Sequence, residues 1–138
     1  MLARPLWTLS LVVLVTSLTF SAQAQAEDWP GWRGPRGDGS SLETGVPTEW
    51  DGVEGKNIAW KTAIAGSGHS SPIVWGDRVF VASCLPETKE RVLVALDRKS
   101  GALLWQKAVF TANLEGKHSL NSYASGTPAT DGETVYVS

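Results

Sequence analysis

The residues of this chain best suited to chemistry are two histidines that occupy related positions. His69 follows Gly68 and precedes Ser70-Ser71-Pro72. His118 is followed by Asn121 and Tyr123, ahead of Gly126-Thr127-Pro128. Imidazole titrates near neutrality and binds metals through either ring nitrogen. Two such rings, with Asn121 beside one of them, could form a ligand contact. Their spacing matches no recognised metal-ligand pattern. The plain alternative, a histidine hydrogen-bonded within a loop, stays open for both. Other chemistries find less support. Ser70 and Ser71 have no visible Asp–His arrangement, so nucleophilic catalysis is not indicated. Residues 31–39 are Gly-rich but lack the Lys-Ser/Thr of a phosphate loop and precede no helical pattern. Arg33, Arg36 and Asp38 in that stretch read as a solvated loop or an ion pair. No calcium-loop spacing is present. Cys84 is the only cysteine, which rules out an internal disulfide and a Cys-x-x-Cys zinc site. It reads as a buried free thiol in a strand.

The elements that must position these residues come from a repeat. Residues 70–83 read SSPIVWGDRVFVAS, and residues 126–138 read GTPATDGETVYVS. Aligned on Pro72 and Pro128, they match Gly76 with Gly132, Val79 with Val135, Phe80 with Tyr136 and Val81 with Val137. The offset is constant at 56 residues. A second pair, NIAWK at 57–61 and LLWQK at 103–107, places a Trp ahead of a Lys in each copy. Short strands repeating at roughly 40–55 residues imply a blade, because one unit cannot bury its own apolar face and must stack on copies of itself. The second copy runs out inside a strand pattern at Ser138, so the expectation is an N-terminal fragment of a longer ring.

Period-two alternation predicts strands over 57–64, 71–75, 78–83, 92–96, 102–110, 127–130 and 134–137. In the first of these, Ile58, Trp60 and Thr62 share a face. Gly76-Asp77 between β-rich runs predicts a tight hairpin. Asp97 to Gly101 is a turn, with Gly101 where a positive φ is cheap and Asp97 able to bond turn amides. The four strands between 71 and 110 make one complete blade. The strand carrying Trp60 corresponds to the fourth strand of another, since Trp105 lies on the fourth strand of the complete one. The fold class is therefore all-β: a propeller of four-stranded antiparallel blades, with one blade complete and parts of two others. Residues 27–138 on their own are expected to be marginally stable or prone to aggregate, because sheet faces and edges stay open.

Three domains are expected along the chain. Residues 1–26 form a cleaved signal peptide: Arg4 is basic, 6–20 are mostly apolar, and Ala22-Gln23-Ala24 and Ala24-Gln25-Ala26 both fit a small-x-small cleavage pattern. A retained signal anchor is the alternative. The apolar run is short for a membrane span and is followed by Glu27 and Asp28. No Cys lies near the cut, so no lipid anchor is expected. Residues 27–56 are an irregular Gly/Pro/Trp-rich lead-in with Trp29, Trp32 and Trp50 as packing anchors. Residues 57–138 carry the repeats. Charges are nearly balanced, 12 basic against 14 acidic, which gives no electrostatic case for nucleic acid.

The segment VLVALD at 92–97 followed by KSGALLWQK at 99–107 resembles the pyrroloquinoline-quinone-like (PQQ-like) repeat, roughly Y-A-L-D-x-x-T-G-x-x-x-W. That repeat occurs in quinoprotein dehydrogenases and in the propeller lipoprotein that helps insert outer-membrane barrels. The lead-in DWPGWRGPRGDG and the segments GHSSPIVWGDRVFV and HSLNSYASGTPATDG resemble secreted bacterial propeller proteins, many from planctomycete-type bacteria. The resemblance implies structural roles for Trp60, Pro72, Gly76, Asp97, Gly101, Trp105, Pro128 and Gly132. Because the entries to inner strands line the central channel of a propeller, His69, His118 and Asn121 are candidate ligand contacts at the channel mouth. The expected protein is exported and extracytoplasmic. It serves as a non-catalytic scaffold for a protein or small-molecule ligand, with no cofactor identifiable in this stretch. The alternative is part of a quinoprotein dehydrogenase holding PQQ and calcium. The calcium ligands, acidic base and adjacent-cysteine ring of such an enzyme cannot be mapped onto these positions.

Overall fold

The computed structural model describes residues 26–138. The described chain is all-β. Strands β1 (Ile73–Trp75), β2 (Arg78–Leu85), β3 (Glu90–Asp97) and β4 (Leu103–Thr111) form one antiparallel sheet in sequence order, and β5 (Ala129–Thr130) pairs with β6 (Val135–Tyr136) in a second. Sequential order follows from short connections, since each turn delivers the chain to the adjacent edge. Gly76 has φ +54° while Asp77 is not left-handed. A first central glycine with a right-handed second residue is the II′ pattern, whose twist suits a two-residue hairpin.

The repeat read from the sequence is a repeat of register. Ile73 faces Phe80 and Val74 faces Val79 in the first hairpin. Ala129 faces Tyr136 and Thr130 faces Val135 in the second. The same offset separates both members of each pair. Successive copies also touch at equivalent positions: the Ser71 amide donates to Thr127 Oγ1 at 3.1 Å, across 56 residues.

Alternation along the strands gives the four-stranded sheet two apolar faces. On one, Ile73, Phe80, Leu93 and Ala95 are buried, and Val135 of the second hairpin packs against them. On the other, Val79, Val92, Val94 and Leu96 are buried beneath Trp60 and Ile64, with Val81 of β2 beside them. The sheet is thus covered on one side by chain that precedes it and on the other by chain that follows. Its central strand β3 is buried over Val92 to Leu96, and β4 forms an edge exposed throughout.

The expected strand over 57–64 needs correction. That segment is not in a ladder. It does keep the expected alternation: Ile58, Trp60, Thr62 and Ile64 are half-buried and the residues between them exposed. It lies across a sheet face, anchored by its side chains. Trp60 Nε1–H donates to the Arg98 carbonyl at 2.9 Å, and the Thr62 hydroxyl donates to the Gly101 carbonyl at 2.6 Å. Facing is a local property of the sequence, whereas a ladder needs a free strand edge at the right distance.

Trp32 and Trp50 also depart from their expected role as packing anchors, being 65% and 70% exposed. Arg33 stacks over the Trp32 ring, 4.6 Å from its centroid. Trp29 does anchor, half-buried and packed against Gly34, where an added Cβ would lie 2.7 Å from the indole.

Candidate functional site

The two histidine-bearing loops come together through their backbones. His69 N–H donates to the Ala124 carbonyl and to Ser122 Oγ, both at 3.0 Å, and Ser70 N–H donates to the same carbonyl at 3.0 Å. Ala124 is buried under this crossing. The chain leading into β1 is therefore fastened to the chain leading into β5. His69, His118 and Asn121 are all exposed. His118 folds back on its own loop, its Nδ1 accepting from Leu120 N–H at 3.2 Å and its carbonyl from Asn121 N–H at 2.9 Å. Beside this crossing, a cavity of about 320 Å³ is lined by Ala82, Arg91, Phe110, Tyr123 and Val137 among others. The Arg91 guanidinium lies 5.4 Å from the Phe110 ring and 5.7 Å from Tyr123, and Lys117 lies 5.1 Å from Tyr123. Cations held over aromatic faces give this rim a positive, flat-walled character.

The positions expected to be structural split into turns and inter-repeat contacts. Asp97 Oδ1 accepts from Ser100 N–H at 2.7 Å and from the Ser100 hydroxyl at 2.6 Å. Those bonds, the hydroxyl first, hold its carboxyl below the ordinary range. Gly101 is buried beneath Trp60. Gly132 meets Trp75 in the same way, an added Cβ falling 2.6 Å from the indole. Trp105 sits against Phe80, with ring centroids 5.9 Å apart, on the face that the second hairpin partly covers. Pro128 is fully buried, while Pro72 is exposed.

Sequence reasoning missed the part played by the lead-in. Trp29 exchanges two backbone bonds with Val74, at 2.7 and 2.9 Å, and the Pro30 carbonyl accepts from Thr130 N–H at 2.8 Å. Residues 29–30 thus bridge β1 and β5, the first strands of two successive repeats. Asp28 Oδ1 accepts from Gly76 N–H at 2.8 Å, in the β1–β2 turn. Arg98 spans the same place, 3.7 Å from Asp28 Oδ1 and 3.2 Å from the Gly76 carbonyl. The only signal in the sequence was a carboxylate beside a tryptophan in a stretch without periodicity. Asp28→Ala should lower the unfolding free energy by about 1–2 kcal/mol, the scale of a charged hydrogen bond at a partly exposed site. Urea denaturation would measure this, with Asp28→Asn expected to lose less because an acceptor remains.

The lead-in is closed by a second ion pair. Arg36 grips the Glu27 carboxylate through two nitrogens, at 2.5 and 2.9 Å. The Arg36 hydrogen bond, aided by Ser41, lowers the Glu27 carboxyl from 4.5 to about 2. Since the folded value is depressed, the pair contributes fully above about pH 4.5 and is lost as pH falls through about 2. A carbon-13 titration of the Glu27 carboxyl should show this low midpoint, and Arg36→Ala should return it toward the ordinary value.

Among the described residues, no group of three or more His, Cys, Asp or Glu side chains could hold a metal ion. Likewise among the described residues, no helix is long and apolar enough to cross a membrane. The segment read as a signal, apart from Ala26, lies outside the described residues.

Four short-turned antiparallel strands, covered on both faces by neighbouring repeats of the same chain, define a propeller-type repeat protein. The chain belongs to the PQQ-like repeat family: the family profile described as outer membrane protein assembly factor BamB matches residues 41–138. No curated protein and no solved structure gave a significant match to the chain.

Proposed function

We propose that this protein is an exported propeller-type module acting as a non-catalytic binding or assembly scaffold outside the cytoplasm. The observation that carries the reading is the crossing of the two histidine loops. Their backbones are committed to joining successive repeats, while His69, His118 and Asn121 stay exposed. On this reading the two loops are the recognition surface, held in place by the joint between repeats. The family's description as an outer membrane assembly factor supports envelope protein assembly as the setting. The partner is a protein or a small-molecule ligand.

The full exported protein, titrated with pyrroloquinoline quinone and calcium while tryptophan fluorescence is followed, should give a flat trace. Saturable quenching with a bound quinone absorption band would overturn the scaffold reading in favour of a quinoprotein oxidoreductase. Crosslinking in the cell envelope should give adducts at these loops. The combined His69→Ala, His118→Ala and Asn121→Ala variant should lose those adducts while keeping its melting temperature.

A further inference from the structure

We propose that Asp51–Gly52 is a site of spontaneous covalent modification, where the chain isomerises through a succinimide to isoaspartate. The inference is independent of the function proposed above. The sequence holds three Asp-Gly pairs, at 38–39, 51–52 and 131–132. All three are open to the same chemistry by type, because glycine sets no side chain beside its own nitrogen. In each, the carboxylate folds forward over the amide that follows it. Asp38 Oδ1 accepts from Ser40 N–H at 2.8 Å. Asp51 Oδ1 accepts from Val53 N–H at 2.6 Å and Glu54 N–H at 3.0 Å. Asp131 Oδ1 accepts from Glu133 N–H at 3.0 Å and Thr134 N–H at 2.8 Å. Such donors hold all three carboxyls below their ordinary range, so ionisation does not tell the three apart.

The glycine nitrogens do tell them apart. Gly39 N–H donates to the Arg33 carbonyl at 3.0 Å, and Gly132 N–H donates to Thr130 Oγ1 at 3.0 Å. Gly52 N–H has no acceptor among the described residues, and nothing lies within 4 Å of a Cβ built at Gly52. The Gly52 carbonyl accepts from Lys61 Nζ, but that oxygen belongs to the next peptide unit. The Gly52 amide is therefore free to turn toward the Asp51 side chain, whereas the other two must first break a hydrogen bond. In the reaction the Gly52 nitrogen bonds to Asp51 Cγ and gives up its proton, and a carboxyl oxygen leaves as water. The five-membered imide then takes water back at either carbonyl. Opening at Cγ restores aspartate. Opening at the Asp51 backbone carbonyl carbon leaves the main chain running through the side chain, longer by one methylene. No oxidant, reductant or cofactor enters. The extra methylene falls in a turn closed by Asp51 N–H to the Lys56 carbonyl at 3.0 Å and Gly55 N–H to the Asp51 carbonyl at 2.9 Å, immediately ahead of the 57–64 segment that covers a sheet face.

The test incubates the full protein in neutral buffer and follows the three Asp-Gly peptides by mass spectrometry, reading succinimide as the loss of one water and isoaspartate by its backbone fragments. Product at Asp51 should accumulate about two- to tenfold faster than at Asp38 or Asp131, the factor for releasing an amide from one ordinary hydrogen bond. Equal rates at the three sites, or a lead by Asp38 or Asp131, would overturn the assignment. In concentrated urea all three amides lose their partners, and the rates should converge. A lead by Asp51 that persists in urea would show that neighbouring residues, not the fold, select the site. Thr130→Val removes the acceptor of Gly132 N–H and should raise the rate at Asp131 while leaving Asp38 unchanged. An unchanged rate at Asp131 in that variant would overturn the protection assigned to the glycine hydrogen bond.

Discussion

Gly101→Ala is expected to lower the unfolding free energy by about 2–5 kcal/mol, summing a left-handed backbone cost and an overpacking cost. Gly101 has φ +73°, and its added Cβ would fall 2.5 Å from two carbons of the Trp60 ring and 2.8 Å from Thr62 Oγ1. Neither neighbour is free to retreat. The Trp60 indole N–H is bonded to the Arg98 carbonyl, and the Thr62 hydroxyl to Gly101 itself. Relief would require the whole 57–64 segment to lift from the Val92–Val94–Leu96 face that it covers. Gly37 provides the control. It has φ +70° with nothing within 4 Å of an added Cβ, so Gly37→Ala should show only the backbone part, about 1–2 kcal/mol. Equilibrium denaturation in urea, followed by tryptophan fluorescence, reads both. In a Trp60→Ala background the Gly101→Ala cost should fall part of the way toward the Gly37→Ala level, because the Trp60 contact is gone while the one with Thr62 Oγ1 stays. Equal costs for the two glycines in the wild-type background would show that Trp60 is not packed as described.

Ile73→Ala is expected to cost about 3–4 kcal/mol, within the range for truncating a fully buried aliphatic side chain. Ile73 has no exposed surface, and it packs with Phe80, Leu93 and Ala95 on the face that receives Val135. The cavity would open between two repeats rather than inside one. The second hairpin, β5–β6, should therefore loosen first, and its amides should exchange with deuterium faster than those of β3. Leu120→Ala, at a side chain 76% exposed, should change stability by less than about 0.5 kcal/mol. A loss spread evenly over all strands would mean that the hairpin is not held by this face.

Both substitutions act where one repeat meets the next, and those junctions were only partly legible in the sequence. The hairpins were readable because everything that specifies them is local. Alternation sets the faces of β2 and β3, Gly76 sets the turn, and the constant offset carries the register from the first pair to the second. Gly101 and Gly132 were readable as turn glycines, but not as platforms for Trp60 and Trp75, since the partner lies tens of residues away. The inward face of 57–64 was readable for the same local reason as the strands, whereas its absence from the ladder was not. The exposure of Trp32 and Trp50 shows the limit of composition: a large ring is buried only if the fold brings a surface to it.

The candidate site divides in the same way. The residue types at His69, His118 and Asn121, and their position ahead of equivalent strands, are properties of the sequence alone. The fastening of those two loops through Ala124 and Ser122 is tertiary. So is the pairing of Asp28, Trp29 and Pro30 with β1 and β5. A backbone donor carries no sequence signature of its partner, and which carbonyl it meets is settled only when packing of the apolar faces brings distant segments within hydrogen-bond reach.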